Sequence, residues 1–392
     1  MKNKKIVCFV SLLLVCALML AGCTNRPRAA VSPAPVAETA SPEPEASEAP
    51  VETASPEPTE TPEPTATPEP TPEPTPEVKY YNPLTGEAVD HDMSAERPVA
   101  VMVENNRWDW GGMITQSGIT DAAIIYEMQV ESITRNMAVF MEVKDVVEIL
   151  PVRSARSYFV STALAYDAIY VHCGQSGDGL EYSYPMLAHF VDNDNIDLGE
   201  GQNAYRRLDG YYAGGLHAMA TSGELLTNHF NAVGTRTTHN ADSFDYGLHF
   251  TENAAPTDGT VARGIRIVFP QSKLTNFGYN EEKGGYTGYQ WDSYYTDNNT
   301  QDMPVFQNVL VLATYTQIGI DDHWHTAMNT YDTQGQGYFC NGGYAEHITW
   351  SRGGLDTPFR YYTDDGKELE LGVGHTYIAF ISGLDYVSFY ES

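Results

Sequence analysis

Apolar and polar positions along this chain fall into two regimes. Short runs rich in β-branched and aromatic residues at 98–104, 122–129, 136–143 and 168–172 read as strands, and the unbroken stretch 157–166, with Tyr158, Phe159, Leu164 and Ala165 apolar, reads as a helix between two of them. Residues 182–190 and 222–230 read as further helices, with a hydroxyl cap offered by Thr221-Ser222-Gly223-Glu224. A helix flanked by strands predicts α/β layering, a mixed sheet with helices, over 79–250. From 251 to 392 the pattern shortens to strands at 264–269, 286–295, 305–315, 337–339, 348–350, 359–362 and 377–381, so this half is expected to be mainly β. Asp364-Asp365-Gly366-Lys367 has the chemistry of a tight turn leading into 368–371.

Residues 24–78 have neither period. They are Pro, Glu, Thr, Ala and Ser, with Thr-Pro-Glu-Pro repeats and eleven glutamates, and cannot bury a core. Self-repulsion and polyproline II geometry make 23–78 a disordered Pro/Glu/Thr-rich spacer, about 170 Å long at full extension. Ahead of it, Lys2, Lys4 and Lys5 precede an apolar run at 6–20 that is short for a membrane span, so residues 1–22 are expected to be a signal peptide. Leu20-Ala21-Gly22-Cys23 resembles the lipobox of bacterial lipoproteins. That resemblance implies cleavage before Cys23 and a diacylglyceryl thioether on it, with palmitate-type chains that hold the protein durably on the bacterial membrane.

Charge narrows the partners. The formal net charge is −30, and residues 79–392 alone hold 41 acidic against 17 basic side chains. Without clustered Lys and Arg to displace counterions, nucleic acid is excluded as a partner. Of the five cysteines only Cys173 and Cys340 lie beyond the spacer, and they read as small buried apolar residues.

The sharpest candidate site is Pro151-Val152-Arg153-Ser154-Ala155-Arg156, where a strand is expected to run into a helix. Two guanidiniums three residues apart on an emerging helix face one way, beside free backbone amides that suit phosphate or carboxylate. The competing role for the pair is structural, as ion pairs with Asp121, Glu127 or Glu131. Arg135 precedes the strand leading towards Arg153, and Asp121 and Glu127 flank the strand before that, so arginines and carboxylates are expected at one sheet edge. His172 ends a strand and opens the polar loop Cys173-Gly174-Gln175-Ser176-Gly177-Asp178-Gly179, which makes His172 and Asp178 candidate ligand contacts. Asp192, Asp194 and Asp197 lack the glycine and glutamate of a calcium loop, and His323 with His325 lacks further zinc ligands, so no metal and no cofactor is expected. Tyr279, Tyr286, Tyr289, Trp291, Tyr294 and Tyr295 read mainly as a packed sheet face, with a sugar-stacking platform as the alternative. No nucleophile elbow, zinc-protease motif, Walker loop or dinucleotide fingerprint is present, and no catalytic residue is assigned.

Several stretches together resemble the YerB-like family of bacterial lipoproteins, which combines a DUF3048 N-terminal domain with a DUF3048 C-terminal domain. In the first half these are Asn82-Pro83-Leu84-Thr85-Gly86, Arg97-Pro98-Val99-Ala100-Val101-Met102, Ile133-Thr134-Arg135, the Arg153/Arg156 segment and Tyr166-Asp167-Ala168-Ile169-Tyr170-Val171-His172. In the second they are Asn308-Val309-Leu310-Val311, Ile348-Thr349-Trp350 and Arg360-Tyr361-Tyr362 through Gly366-Lys367-Glu368. Leu216-His217 stands where the family usually has Pro-His, which adds His217 to the candidates, and Glu131-Ser132 replaces the usual Gly-rich turn. The resemblance implies an envelope lipoprotein and no established reaction. The resulting expectation is a lipid-anchored extracytoplasmic protein with a binding or regulatory role, recognising a cell-wall component or an envelope protein through Arg135, Arg153 and Arg156, rather than an enzyme. The alternative is an enzyme acting on an anionic, pyrophosphate-type glycopolymer precursor, similar to the LytR-CpsA-Psr phosphotransferases in layout only.

Overall fold

The computed structural model describes residues 79–107, 114–177, 183–199, 203–208, 217–270 and 273–391. The signal peptide, Cys23 and the spacer lie outside these residues.

The first half contributes β1 (Val99–Asn105), β2 (Ile124–Val130), β3 (Ile133–Phe140), α1 (Ser157–Leu164), β4 (Ile169–His172), α2 (Ser183–Leu187), β5 (Asn195–Asp197) and α3 (Gly223–Val233). The second half contributes β6 (Thr260–Val261), β7 (Gly264–Phe269), β8 (Lys273–Asn280), β9 (Gly285–Gln290), β10 (Ser293–Tyr294) and β11 (Asn308–Ala313). After these come β12 (Thr333–Asn341), β13 (Tyr344–Arg352), β14 (Arg360–Thr363), β15 (Thr376–Ile381) and β16 (Val387–Tyr390).

Eleven strands make one mixed sheet in the order β6-β13-β12-β11-β15-β2-β3-β1-β4-β5, with β14 paired to β13. Strands from both sides of residue 250 share it. The junction is β15 on β2, parallel, with Thr376 opposite Ile124 and Phe380 opposite Met128. The described residues from 79 to 391 accordingly group as a single compact unit. The central strands β1, β2, β3 and β4 are almost wholly buried, which explains apolar runs too continuous for simple alternation.

Each face of the sheet has its own core. Ala100, Met102, Tyr126 and Met128 pack on one face with Tyr158 and Phe159 of α1 and with Trp350 and Phe380. On the other face Val101, Val103, Ile125 and Ala138 meet Leu226 and Phe230 of α3, together with Ile265, Ile267 and Phe277. The last three belong to a second sheet of five strands, ordered β10-β9-β8-β7-β16.

α3 begins as its cap chemistry predicts, with the Ser222 hydroxyl accepting from Leu225 N at 3.2 Å, and ends at Gly234 in the left-handed region (φ 70°). Its first residue has to be glycine: a Cβ on Gly223 would stand 1.9 Å from the Val143 carbonyl oxygen. Gly223→Ala is expected to lower stability by about 1–3 kcal/mol, read from the shift in urea midpoint at unchanged m-value.

Two expected elements differ. The strand predicted at 286–295 is a hairpin, because Gln290 pairs with Ser293 and Trp291 between them takes a φ of 56°. The Asp-Gly turn forms, with Gly366 N donating to Thr363 O at 2.9 Å and Glu368 bridging Tyr362. The arm beyond it leaves the hairpin, and Glu370–Gly372 pairs in parallel with His249–Thr251.

Candidate functional site

The parallel strands β1, β2 and β4 end on one side of the sheet, where the segment joining β3 to α1 crosses them. Val152 bridges Val103, and Arg153 N donates to Met102 O at 3.1 Å, so this segment extends the sheet where β4 has diverged. Arg156 is the residue before α1 and is extended (φ −134°, ψ 149°). The two arginines therefore do not share a helix face as expected. They meet because an extended chain passes over the strand ends and then turns into the helix.

Arg135 lies on β3 directly opposite Glu104 of β1, so both side chains emerge on the α1 face. Glu104 is fully buried; its Oε2 forms an ion pair with Arg153, 3.0 Å from Nε, and a hydrogen bond with His217 Nδ1 at 3.0 Å. Burial alone would raise this carboxyl; the hydrogen bond from His217 and the charges of Arg153 and Arg135 outweigh it and hold the group below the usual range. Glu131 caps the β2–β3 hairpin at a φ of 25°, a backbone that normally calls for glycine or asparagine. The Gln129 amide holds that tip by donating to the carbonyls of Val130 and Ile133 at 3.0 and 2.9 Å. From there Glu131 Oε1 accepts from Arg156 Nε at 2.7 Å and also from its Nη2.

Three guanidiniums thus converge on two carboxylates among the described residues. Arg135 Nη1 donates to Ser154 O at 2.8 Å, while its Nη2 stays 3.7 Å from Glu131. Burial, and then repulsion from Arg156 and Arg153, bring Arg135 down to about 10. Arg135 Nε, Glu104 Oε1 and the Tyr170 hydroxyl are buried and have no hydrogen-bond partner among the described residues. Beside the first turn of α1 a cavity of about 300 Å³ opens, with Ser157 and Tyr158 on one side and Met186, Met328 and Tyr331 on the other.

The remaining candidates are placed differently. His172 is fully buried at the end of β4, with its ring nitrogens 2.8 Å from Gly174 O and from the Asn195 side chain, and it anchors the loop after the strand. Asp121 precedes β2, whose seven residues put roughly 20 Å between it and the arginines. Partial burial and the neighbouring Asp297 raise its carboxyl, against the pull of His375. The expected convergence of Asp121 with the arginines is therefore not found. Glu127 points to the opposite face of the sheet. Asp178 lies outside the described residues. Asp192 and Asp194 pair with Arg236 and Arg97, and Asp197 accepts from the amides of Gly174 and Gly199, so these carboxylates serve the fold. Cys173 and Cys340 are free thiols, both raised by burial. Of the aromatic group, Tyr286 and Tyr295 are core, whereas Tyr289 and Tyr294 meet at a tilt, ring centroids 4.8 Å apart, on the exposed β9–β10 hairpin.

Glu104 was not a candidate from sequence. Its signal is a charged residue inside the apolar run Val-Ala-Val-Met-Val-Glu-Asn, which only burial with charged partners can explain.

This architecture, two halves sharing one sheet with an arginine cluster at the strand ends, coincides with a two-part family. Residues 84–227 match the protein of unknown function (DUF3048) N-terminal domain, and residues 265–378 match the DUF3048 C-terminal domain. The chain belongs to the family that carries both. It is 26% identical over 312 residues to the protein described as "Putative lipoprotein YerB" of Bacillus subtilis (strain 168), covering 78% of this chain and 87% of that protein. The crystal structure of YerB protein from Bacillus subtilis superposes with a TM-score of 0.66 at 24% identity, covering 79% of this chain and 99% of that one, and so shares its fold. No helix among the described residues is long and apolar enough to cross a membrane.

Proposed function

We propose that this chain is a lipoprotein anchored through acylated Cys23 to the outer face of the cell membrane, and that its folded body binds an anionic envelope ligand at Arg135, Arg153 and Arg156 without catalysing a reaction. The lipobox-like Leu20-Ala21-Gly22-Cys23, the Pro/Glu-rich spacer and the kinship with a protein described as a lipoprotein support the location. The observation that carries the binding role is the convergence of three guanidiniums at the strand ends of a chain whose overall charge is −30. In open sheets with parallel strands, ligands commonly bind where the strands end.

The test pairs Arg153→Ala with Arg156→Ala, each measured for melting temperature and for capture of a phosphate-bearing wall glycopolymer on a sensor surface. Capture is expected to weaken by roughly tenfold or more, as for loss of a charge-assisted fork, while the melting transition remains cooperative. Unchanged capture in both variants would return the arginines to a purely architectural role. Mass spectrometry of the amino-terminal peptide tests the anchor, an unmodified Cys23 being the adverse result.

A further inference from the structure

Between the segment leading into β5 and the last two turns of α3, a cavity of about 510 Å³ opens at the edge of the large sheet. None of its lining residues is charged, in a chain that carries 52 acidic side chains, and none belongs to the arginine cluster. We infer that this cavity is a second binding site, separate from the arginines, and that it takes an uncharged sugar unit of a glycan through its hydroxyls.

One wall is the sheet edge. β5 is the outermost strand, with no further strand beyond it among the described residues. Tyr170 N donates to Asp194 O and Leu198 N to His172 O, so in this parallel pairing Asn195 turns its own N–H and C=O outward. The Asn195 carboxamide is oriented by His172 Nε2 at 2.8 Å. The outer edge adds one backbone donor and one backbone acceptor to the cavity.

The other wall is helical. Asn228 and Ala232 lie four residues apart on α3, as do His229 and Val233, so the four form one stripe. Asn193 ties this wall to the first: its Nδ2 donates to Val233 O at 2.8 Å, and its own carbonyl accepts from Thr235 Oγ1 at 2.9 Å. The two walls are therefore fixed before any ligand arrives.

The unspent groups specify the ligand. Among the described residues, the side chains of Asn203, Asn228 and His229 have no hydrogen-bond partner. A carboxamide presents an acceptor and a donor side by side, the complement of two neighbouring hydroxyls. Burial lowers the pKa of His229, so its ring is neutral at neutral pH and adds one donor and one acceptor. Val233, 41% exposed, and Ala232 supply an apolar strip for the C–H face of a sugar ring. An anion finds no cation here, a metal ion no carboxylate, and a peptide strand only three residues of open edge. The volume is that of an ordinary small-ligand pocket.

Calorimetric titration of the full-length protein tests this, with N,N′-diacetylchitobiose, maltose, glucuronate and tetraalanine as probes. At least one of the two disaccharides is expected to bind with a dissociation constant on the order of 1 mM or below, roughly tenfold or more tightly than glucuronate or tetraalanine. Asn203→Ala and Asn228→Ala are each expected to weaken it about threefold to tenfold, the worth of a lost hydrogen bond. The melting temperature should not move, because both side chains are exposed. Arg153→Ala should leave sugar binding as it is, which separates this site from the one proposed above. The inference falls if neither disaccharide binds, if glucuronate or tetraalanine binds as tightly, or if binding is indifferent to both asparagine variants. Sugar binding lost in Arg153→Ala but kept in both asparagine variants would move the sugar to the arginine cluster and overturn this site alone.

Discussion

Replacing Glu127 with leucine is expected to cost the fold about 3–5 kcal/mol, because it strands a buried cation. Glu127 on β2 and Lys273 on β8 are both almost fully buried and 3.3 Å apart. The carboxylate also accepts from Asn105 at 2.8 Å and Thr134 at 2.6 Å, and from Thr275 and Tyr377 of the second half at 2.8 and 2.6 Å. The Trp291 ring lies 4.2 Å from the ammonium. Urea titration should show the loss, and Glu127→Leu combined with Lys273→Met should recover much of it, since removing both charges leaves neither buried alone. A double variant as unstable as the single one would refute this account.

The same pair sets a dependence on pH. Burial brings Lys273 down to about 8 from 10.5, against the upward pull of Glu127. Between those values the unfolded chain holds a proton that the native chain has released, so this lysine's contribution becomes more favourable as pH rises from 8 to 10.5. Below about pH 8 both states are protonated and the desolvation cost is present in full. Subtracting the stability curve of Lys273→Met from that of the natural chain isolates the effect, and parallel curves across that window would refute it.

The second large effect is expected at Arg352, which is 3% exposed and has no carboxylate partner among the described residues. It donates instead to four carbonyls, those of Thr357 at 2.9 Å, Thr330 at 2.9 Å, Ser161 at 2.7 Å and Leu355 at 2.6 Å. Ser161 belongs to α1, so this guanidinium ties the second half to the helix above the arginine cluster. Arg352→Met keeps the bulk and removes the donors, leaving several buried acceptors unpaired at about 1–3 kcal/mol each before relaxation. A net loss on the order of 4 kcal/mol is expected, measured by thermal and urea unfolding. A loss below about 1 kcal/mol would show that water takes over these carbonyls.

Legibility followed burial. Strands buried on both faces, such as Val99–Asn105 and Asn308–Ala313, stood out as continuous apolar runs, and the Ser222 cap marked α3. Lys273–Asn280 did not, because Lys-Leu-Thr-Asn-Phe-Gly-Tyr-Asn alternates polar residues that are paired inside the protein rather than exposed. Arg135, Arg153 and Arg156 were found from their spacing, but the partner that organises them, Glu104, arrives from a strand that reads as ordinary core. Asp121 was misplaced because a residue at either end of a seven-residue strand looks equally close in sequence. Pairing across the sheet, which decides which end meets which, is not written in local periodicity.

Thr376–Ile381 follows every other strand of the large sheet in the chain yet occupies its middle, between Asn308–Ala313 and Ile124–Val130. A polypeptide emerging from its amino end must therefore carry an unfinished seam along Ile124–Val130 until that late strand is made. Closure is therefore a single late event for this molecule: its earlier portion cannot finish and wait, but locks as a whole once the keystone slides in.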